Sequence, residues 1–189
     1  MKSARLVSRR NIQFNDISEP GPLSKNEVLI EIQAMSICGS DILLEYDAEL
    51  SEEHYPFIHG APMHECAGVI IDSKSSKYKN GDRVIVFPEN VNGMQERIIS
   101  TPSRLIKLPT WGSLEDWVMC QPMGTALFST KKWGNPINKN IAIIGQGPIG
   151  LTFTQIAEKQ GALNVVGIDL IKYRCIKSKE FGSTDFIHS

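Results

Sequence analysis

The sequence predicts two fold types in succession, a β-rich antiparallel barrel or sandwich and then a parallel α/β sheet. From Met1 to about Leu108, short β-type runs alternate with turn signals, and no helical pattern of any length appears. After Trp133, an apolar run that ends in glycines is followed by helix, strand, helix and strand patterns. This alternation is typical of a βαβαβ unit, whose strands run parallel.

Three runs in the first part are predicted strands. Residues 27–33 alternate apolar with polar side chains, so one face of this strand is buried and the other is exposed to water. Residues 66–71 and 83–87 are two further strands, and the turn Asn80-Gly81-Asp82 introduces the second of them. The spacing of these runs favours an antiparallel arrangement.

A helix and a break separate the two parts. Residues 114–132 are predicted to be helical, and the run Trp133-Gly134-Asn135-Pro136 ends that pattern. We therefore expect one domain over residues 1–132 and a second over residues 133–189.

The second part opens with a glycine fingerprint. Four apolar residues, 141–144, form a predicted buried strand, and Gly-x-Gly-x-x-Gly follows at Gly145, Gly147 and Gly150. The first glycine permits a tight turn, the second lets the backbone approach a pyrophosphate, and the third packs the helix against the strand. Pro148 falls near the first helical turn, where no amide donor is needed.

The residues after the fingerprint match a dinucleotide site. A helix over residues 151–160 and a strand over 164–168 lead to Asp169, which is 169 − 150 = 19 residues past the last glycine. A carboxylate about 20 residues on holds the ribose hydroxyls and repels the extra phosphate of NADP, so we expect NAD. The alternative is a tight turn in any α/β protein. A further helix and strand, residues 171–181 and 184–187, complete one βαβαβ half of a dinucleotide fold.

Composition and charge narrow the class. The chain of 189 residues is 41% hydrophobic and carries a net charge of −1, which gives no indication of nucleic-acid binding. No apolar run has membrane-spanning length, and the basic start lacks the apolar segment of a signal peptide, so we expect a cytoplasmic protein without membrane contact. The four cysteines form no disulfide-scaffold pattern.

Two places in the first part carry metal-binding residue types. Cys38 lies in the run Ile37–Asp41, and His64-Glu65 precedes the strand at 66–71. Thiol and imidazole groups are zinc ligands, and strand ends far apart in sequence can converge on one point. Taken alone, each has an alternative reading, a packed core cysteine and a surface His–Glu pair.

Five motifs occur in order along the chain: Cys38-Gly39-Ser40-Asp41, His64-Glu65 with Ala67-Gly68-Val69, Asn80-Gly81-Asp82-Arg83-Val84, Gln121-Pro122-Met123, and Gly145-Gln146-Gly147-Pro148-Ile149-Gly150. Together they resemble the medium-chain dehydrogenase/reductase family, above all its zinc-dependent alcohol and polyol dehydrogenases such as sorbitol and butanediol dehydrogenase. The resemblance implies a GroES-like β-barrel-type catalytic domain followed by part of a Rossmann domain.

The resemblance also assigns roles to single residues. Cys38 and His64 match two ligands of a catalytic zinc, Ser40 matches the hydroxyl that receives the alcohol proton, and Glu65 matches a carboxylate beside the histidine. The cofactor-binding positions that it implies are Gly145, Gly147, Pro148, Ile149, Gly150 and Asp169.

Departures from the family pattern leave parts of the zinc site open. The third ligand of the polyol branch is a glutamate, and Gln121 stands in that place. An amide oxygen is a poorer zinc ligand than a carboxylate, so Gln121, its neighbour Cys120 and an empty site all stay possible. A structural zinc is not expected, because no cysteine lies between Cys66 and Cys120.

The leading functional hypothesis is an NAD- and zinc-dependent dehydrogenase for a small secondary alcohol or polyol, with this chain holding only the adenosine half of the cofactor site. A homo-oligomer is expected for a longer form. Two alternatives remain: a zinc-free enzyme of the quinone reductase type, which Gln121 favours, and a non-catalytic nucleotide-binding remnant.

Overall fold

The chain forms two compact units, Met1–Gln121 and Pro122–Ser189, in a computed structural model that describes every residue. This division by contacts falls earlier than the expected domain boundary between residues 132 and 133, which stays a prediction. None of the helices has the length and apolar character needed to cross a membrane.

The first unit is built of antiparallel strands, as predicted. A five-stranded sheet has the order β6-β3-β4-β5-β7, and a separate hairpin pairs β1 with β2. The sheet is open, with β6 and β7 at its edges. The strands are β1 Lys2–Ser8, β2 Asn11–Asp16, β3 Val28–Ser36, β4 Glu65–Ser73, β5 Arg83–Val86, β6 Arg97–Ser100 and β7 Leu105–Lys107.

The predicted alternation along β3 places its apolar residues in the core. Val28 and Ile30 are fully buried, and they pack in one cluster with Cys66 of β4 and Val84 of β5. The pairing of β3 with β4 shifts register between Ile32 and Ala34.

The packing around Gly68 of β4 depends on the absence of a side chain. A Cβ at this position would lie only 2.1 Å from the carbonyl oxygen of Glu31 in β3. The backbones of the two strands therefore approach more closely here than any other residue at position 68 would allow.

Helical turns follow the strands where the sequence pattern did not predict them. A π-helix spans Asp41–Tyr46, and 3-10 turns span Glu52–His54 and Pro102–Arg104. The helix predicted over residues 114–132 is divided into α1, Leu114–Val118, and α2, Cys120–Thr130.

The division between α1 and α2 has a local cause in Pro122, and the start of α1 has its own signal. Pro122 has no amide N–H to bond the carbonyl of Val118 four residues earlier, so a single helix cannot run through this point. α1 begins at a standard N-cap, because the Ser113 side chain accepts a hydrogen bond from the Asp116 amide at 3.0 Å.

The second unit is the predicted βαβαβ half-fold. Its parallel sheet has the order β10-β9-β8, with Ile143, Ala157 and Val165 at the centre of its core. The elements are β8 Asn140–Ile144, α3 Pro148–Lys159, β9 Asn164–Asp169, α4 Lys172–Glu180 and β10 Asp185–His188. α3 starts at Pro148, as its fixed backbone angle favours.

Candidate metal and nucleotide sites

Strand pairing explains why the two metal-binding runs meet. At one end of the β3–β4 pair, Ser36 lies opposite Glu65. Cys38 comes two residues after Ser36 along the chain, and His64 comes directly before Glu65. Because β3 and β4 are antiparallel, the C-terminal end of β3 and the N-terminal end of β4 lie at the same end of the strand pair.

The ligand-type atoms of Cys38, His64 and Glu65 form a compact cluster. The thiol, one ring nitrogen and one carboxylate oxygen all lie within 4.8 Å of one another. Zinc–ligand bonds of about 2.0 to 2.3 Å in a tetrahedral arrangement separate ligand atoms by about 3.5 Å. Side-chain movements of about 1 Å would therefore bring these three groups to bonding distance of an ion.

Asp41 connects both metal-binding residues from within the π-helix. One carboxylate oxygen, Oδ2, accepts a hydrogen bond from the Cys38 amide at 2.9 Å. The other, Oδ1, lies 2.8 Å from Nδ1 of His64. Asp41 is only 4% exposed, so this carboxylate orients the imidazole and leaves Nε2 as the ring atom for a metal.

An unpaired carboxylate oxygen shows that the cluster fits a cation. Oε2 of Glu45, in the same π-helix as Asp41, is closed off from solvent and accepts no hydrogen bond, whereas Asp41 has the Cys38 amide and the His64 ring as partners. Buried carboxylates without partners are costly, and a bound cation offsets that cost. Because thiol, imidazole and carboxylate are also the groups that zinc takes, the residues present fit a zinc ion.

The remaining predicted residues of this site lie on other segments of the chain. Ser40 is half-buried before the π-helix, and its side chain makes no capping hydrogen bond. Gln121 is the second residue of α2. Cys120 does not belong to the compact cluster of Cys38, His64 and Glu65.

An apolar cavity adjoins the metal cluster on the side of the π-helix. Its volume is about 300 Å³, and Asp41 is its one charged lining residue. The other lining residues are Ile12, Ile37, Ile42, Tyr46, Pro62, Met63 and Met94.

The glycine loop of the second unit has the conformation that the fingerprint predicts. Gly145 has a φ of +86°, which favours glycine. A Cβ at Gly150 would lie 1.7 Å from the carbonyl oxygen of Gly145, so the third glycine permits the close packing of α3 on the loop. Gly147 caps α3, leaving the amides of Ile149 and Gly150 in the first helical turn, where an anion binds.

Asp169 ends β9 directly beside this loop. Its Oδ2 accepts a hydrogen bond from the Gln146 amide at 2.7 Å, and its Oδ1 accepts one from the Ile171 amide at 2.8 Å. These bonds, that from Gln146 first, hold the pKa of the Asp169 carboxyl below its ordinary value. Each oxygen keeps a second lone pair, so the carboxylate can still accept bonds from hydroxyl groups.

Three residues near these sites were missed by the sequence reasoning. The sequence pattern gives Arg174 no role, yet its guanidinium lies 3.8 Å from Asp169 Oδ2 and 3.9 Å from a Cβ built on Gly147. Asp41 belongs to one of the five motifs without a role of its own, and Glu45 belongs to none of them. The spacing of two acidic residues on one helical turn, Asp41 and Glu45, was the available signal.

A Cys/His/Glu cluster at the end of an antiparallel sheet, followed by a glycine-fingerprint α/β unit, defines the class of medium-chain dehydrogenases that the motifs resemble. The comparison with protein families agrees, since residues 24–126 match the alcohol dehydrogenase GroES-like domain. That match covers more than half of the chain, and the chain belongs to this family.

Individual relatives are polyol and alcohol dehydrogenases. The chain is 28% identical to sorbitol dehydrogenase of Bacillus subtilis and 30% identical to L-idonate 5-dehydrogenase of Vitis vinifera, with 100% and 87% of the chain aligned. Among solved structures it is similar to galactitol-1-phosphate dehydrogenase of Escherichia coli, with a TM-score of 0.86 at 24% identity over 100% of the chain. The predicted family resemblance and fold class are thereby confirmed.

The chain is shorter than these proteins. It spans 61% of the Bacillus sorbitol dehydrogenase, 53% of the Vitis enzyme and 61% of the Escherichia galactitol-1-phosphate dehydrogenase chain. The activity of a complete protein of this kind is therefore a matter for proposal.

Proposed function

We propose that this chain carries the metal site and the adenosine-binding half of an NAD- and zinc-dependent dehydrogenase for a small secondary alcohol or polyol. The observation that carries the proposal is the convergence of the Cys38 thiol, the His64 imidazole and the Glu65 carboxylate at one end of the β3–β4 pair. Relatives that act on sorbitol and L-idonate support the substrate class.

Cys38 and His64 would hold the zinc, and Asp41 would fix the orientation of both. A zinc bound there supplies Lewis-acid polarisation of the substrate oxygen, and NAD supplies the hydride acceptor. Glu65, which is 2% exposed, contributes a carboxylate beside the histidine. Gln121 stands where a third, anionic ligand is expected, so the charge of this site needs another source.

Ser40 is proposed as the first member of a proton relay, which accepts the alcohol proton while its own hydroxyl proton passes on toward solvent. Its hydroxyl makes no capping bond to the backbone, so it is available to exchange a proton with a substrate hydroxyl. The apolar cavity of about 300 Å³ beside Asp41 has room to shield such a substrate from water.

The second unit is proposed to bind the adenosine and pyrophosphate of NAD. The pyrophosphate would lie at the N-terminus of α3, against Gly147, Pro148, Ile149 and Gly150. Asp169 would accept hydrogen bonds from the ribose hydroxyls, and its ionised carboxylate would disfavour the additional phosphate of NADP. Residues 1–132 and 133–189 are proposed as the catalytic and nucleotide-binding domains, and a cytoplasmic homo-oligomer stays a prediction.

Zinc content and nucleotide binding of the purified 189-residue chain test this function. We expect about one zinc per chain, measured by elemental analysis, and tighter binding of NADH than of NADPH, measured by fluorescence titration. Zinc far below one per chain would contradict the catalytic-zinc assignment. NADH formation from sorbitol or another polyol would eliminate the non-catalytic alternative.

Matched cysteine variants separate the candidate ligands. We expect Cys38→Ser to lose the zinc and Cys120→Ser to keep it, because only Cys38 belongs to the compact cluster. Equal losses in the two variants would instead make Cys120 a ligand. Gln121→Glu restores a carboxylate at the third position and is expected to raise the zinc affinity.

A further inference from the structure

We propose that Glu45 supplies the negative charge that Gln121 does not bring to the metal site of Cys38, His64 and Glu65. This inference rests on the proposed function, since it takes the site to bind a divalent cation. None of the motifs behind the family resemblance includes Glu45, so its position and surroundings carry the inference.

The π-helix places Glu45 beside the groups that orient the metal-binding residues. Asp41 and Glu45 are four residues apart in a single wide turn, Asp41–Tyr46, and the Asp47 amide closes it by bonding the Ile42 carbonyl at 2.8 Å. Residues with this spacing lie on the same side of a helix. Asp41 in turn contacts the His64 ring.

The electrostatic surroundings of Glu45 agree with this placement. Burial raises the pKa of the Glu45 carboxyl, the negative charge of Asp41 raises it further, and His64 acts in the opposite direction. A divalent cation held by His64 would stabilise the ionised carboxylate.

Glu45 also lacks the partners that other glutamates of this unit possess. Its Oε2 is closed off from solvent and accepts no hydrogen bond, whereas the exposed Glu49 pairs with Arg9 at 3.0 Å and Glu19 pairs with Arg97 at 2.7 Å. A carboxylate in this situation destabilises the fold unless a cation lies nearby. A metal-binding role for Glu45 accounts for this unpaired oxygen in the same π-helix as Asp41.

The charge balance of the site points the same way. A glutamate at the third ligand position would bring one negative charge, and Gln121 brings none. Glu45 supplies that single negative charge from the π-helix instead, either by binding the cation directly or through a bridging water. Loss of an outer ligand partner typically weakens metal binding about 10- to 100-fold, and this range sets the expected effect.

Zinc affinity of the 189-residue chain, measured by competition with a chelator of known affinity, tests the role of Glu45. We expect Glu45→Gln to bind Zn²⁺ about 10- to 100-fold more weakly than the unmodified chain. The matched control is Glu52→Gln, which removes the same charge from an exposed position in the same unit and should leave the affinity unchanged. Visible spectra of the Co²⁺-loaded proteins then tell direct binding, which alters the spectrum, from binding through water.

Two further variants distinguish a metal-binding role from a structural one. Glu45→Leu removes a half-buried carboxylate whose Oε2 has no partner, so it should fold with equal or higher stability while its zinc affinity falls. Adding Gln121→Glu to Glu45→Gln should restore the affinity, since it returns the missing charge. A stable Glu45→Leu chain with unchanged zinc affinity would overturn the proposal.

The outcomes also separate this proposal from the proposed function. If the unmodified chain binds no Zn²⁺, both are wrong. If it binds Zn²⁺ and the Glu45 variants bind equally well, the zinc assignment stands and the role of Glu45 alone is refuted.

Discussion

Replacing the buried Gln146 tests how the second unit holds its glycine loop. The Gln146 side chain is fully buried, donates a hydrogen bond to the Ile143 carbonyl at 2.9 Å, and accepts one from the Thr154 hydroxyl at 3.0 Å. Its backbone amide also holds Asp169. The side chain therefore links the strand before the loop to the helix after it.

The expected cost of Gln146→Ala follows from these contacts. The buried Thr154 hydroxyl would lose its acceptor, which costs about 1–3 kcal/mol, and each lost methylene adds about 0.8 kcal/mol. Only one methylene is lost, so we expect a loss of about 2 to 4 kcal/mol in the free energy of unfolding of the second unit. Hydrogen exchange of β9 and α3, followed by mass spectrometry, measures this unit separately from the first.

The contact between Gly167 and the Gln146 side chain can be tested with a pair of variants. A Cβ at this position would lie 3.0 Å from Cδ of Gln146 and 2.7 Å from Oγ of Ser178. Gly167→Ala should cost about 1–3 kcal/mol by overpacking, and the double variant should cost about 1 kcal/mol less than the two single costs together. Strict additivity would refute the contact, and Gln155→Ala on the half-exposed side of α3 is the matched control.

Four further predictions concern the cap, the cofactor, the acid dependence of the second unit and the sheet. Ser113→Ala should lower the stability of the first unit by about 0.5–2 kcal/mol in urea titrations, because α1 loses its N-cap bond; an unchanged midpoint would contradict the cap. Asp169→Ser should shift nucleotide preference from NADH toward NADPH in fluorescence titrations, since Arg174 then lacks its carboxylate partner, and adding Arg174→Ala should reverse the shift. Because the pKa of Asp169 is lower in the folded chain than its unfolded value of about 3.9, the ionised carboxylate stabilises the second unit above that pH, and this stabilisation is lost as the pH falls below it. Asp169→Asn should remove this acid dependence from hydrogen exchange. Gly68→Ala should destabilise the first unit by about 1–3 kcal/mol or more, because neither strand backbone can move away from the new methyl group.

Local patterns were sufficient to predict the elements that depend on periodicity and turn chemistry. The alternation in residues 27–33 predicted β3, and the fingerprint predicted the β8–α3 turn with Pro148 at the helix start. The helix over residues 114–132 was wrong as a single element, because its apolar pattern outweighed the effect of Pro122. A proline in the first turn of a new helix and a proline inside a continuing helix look alike in sequence.

The candidate metal site was predictable in its members but not in its surroundings. Cys38 and His64 were recognisable as ligand types, and the structure brings them together with Glu65. The contact from Asp41 to His64 depends on a π-helix, which has no clear sequence signature. Only the three-dimensional placement shows that Glu45 is closed off from solvent without a partner.

The π-turn at Asp41–Tyr46 also bears on how such a site can change over time. Its bonds join residues five apart instead of four, so the turn accommodates one residue more than an α-turn between the same flanking segments. A single inserted codon can therefore add a side chain facing the metal while Cys38 and the strand before it stay in place. In a protein whose ligand carboxylate has been replaced by an amide, one such insertion could therefore supply the missing negative charge.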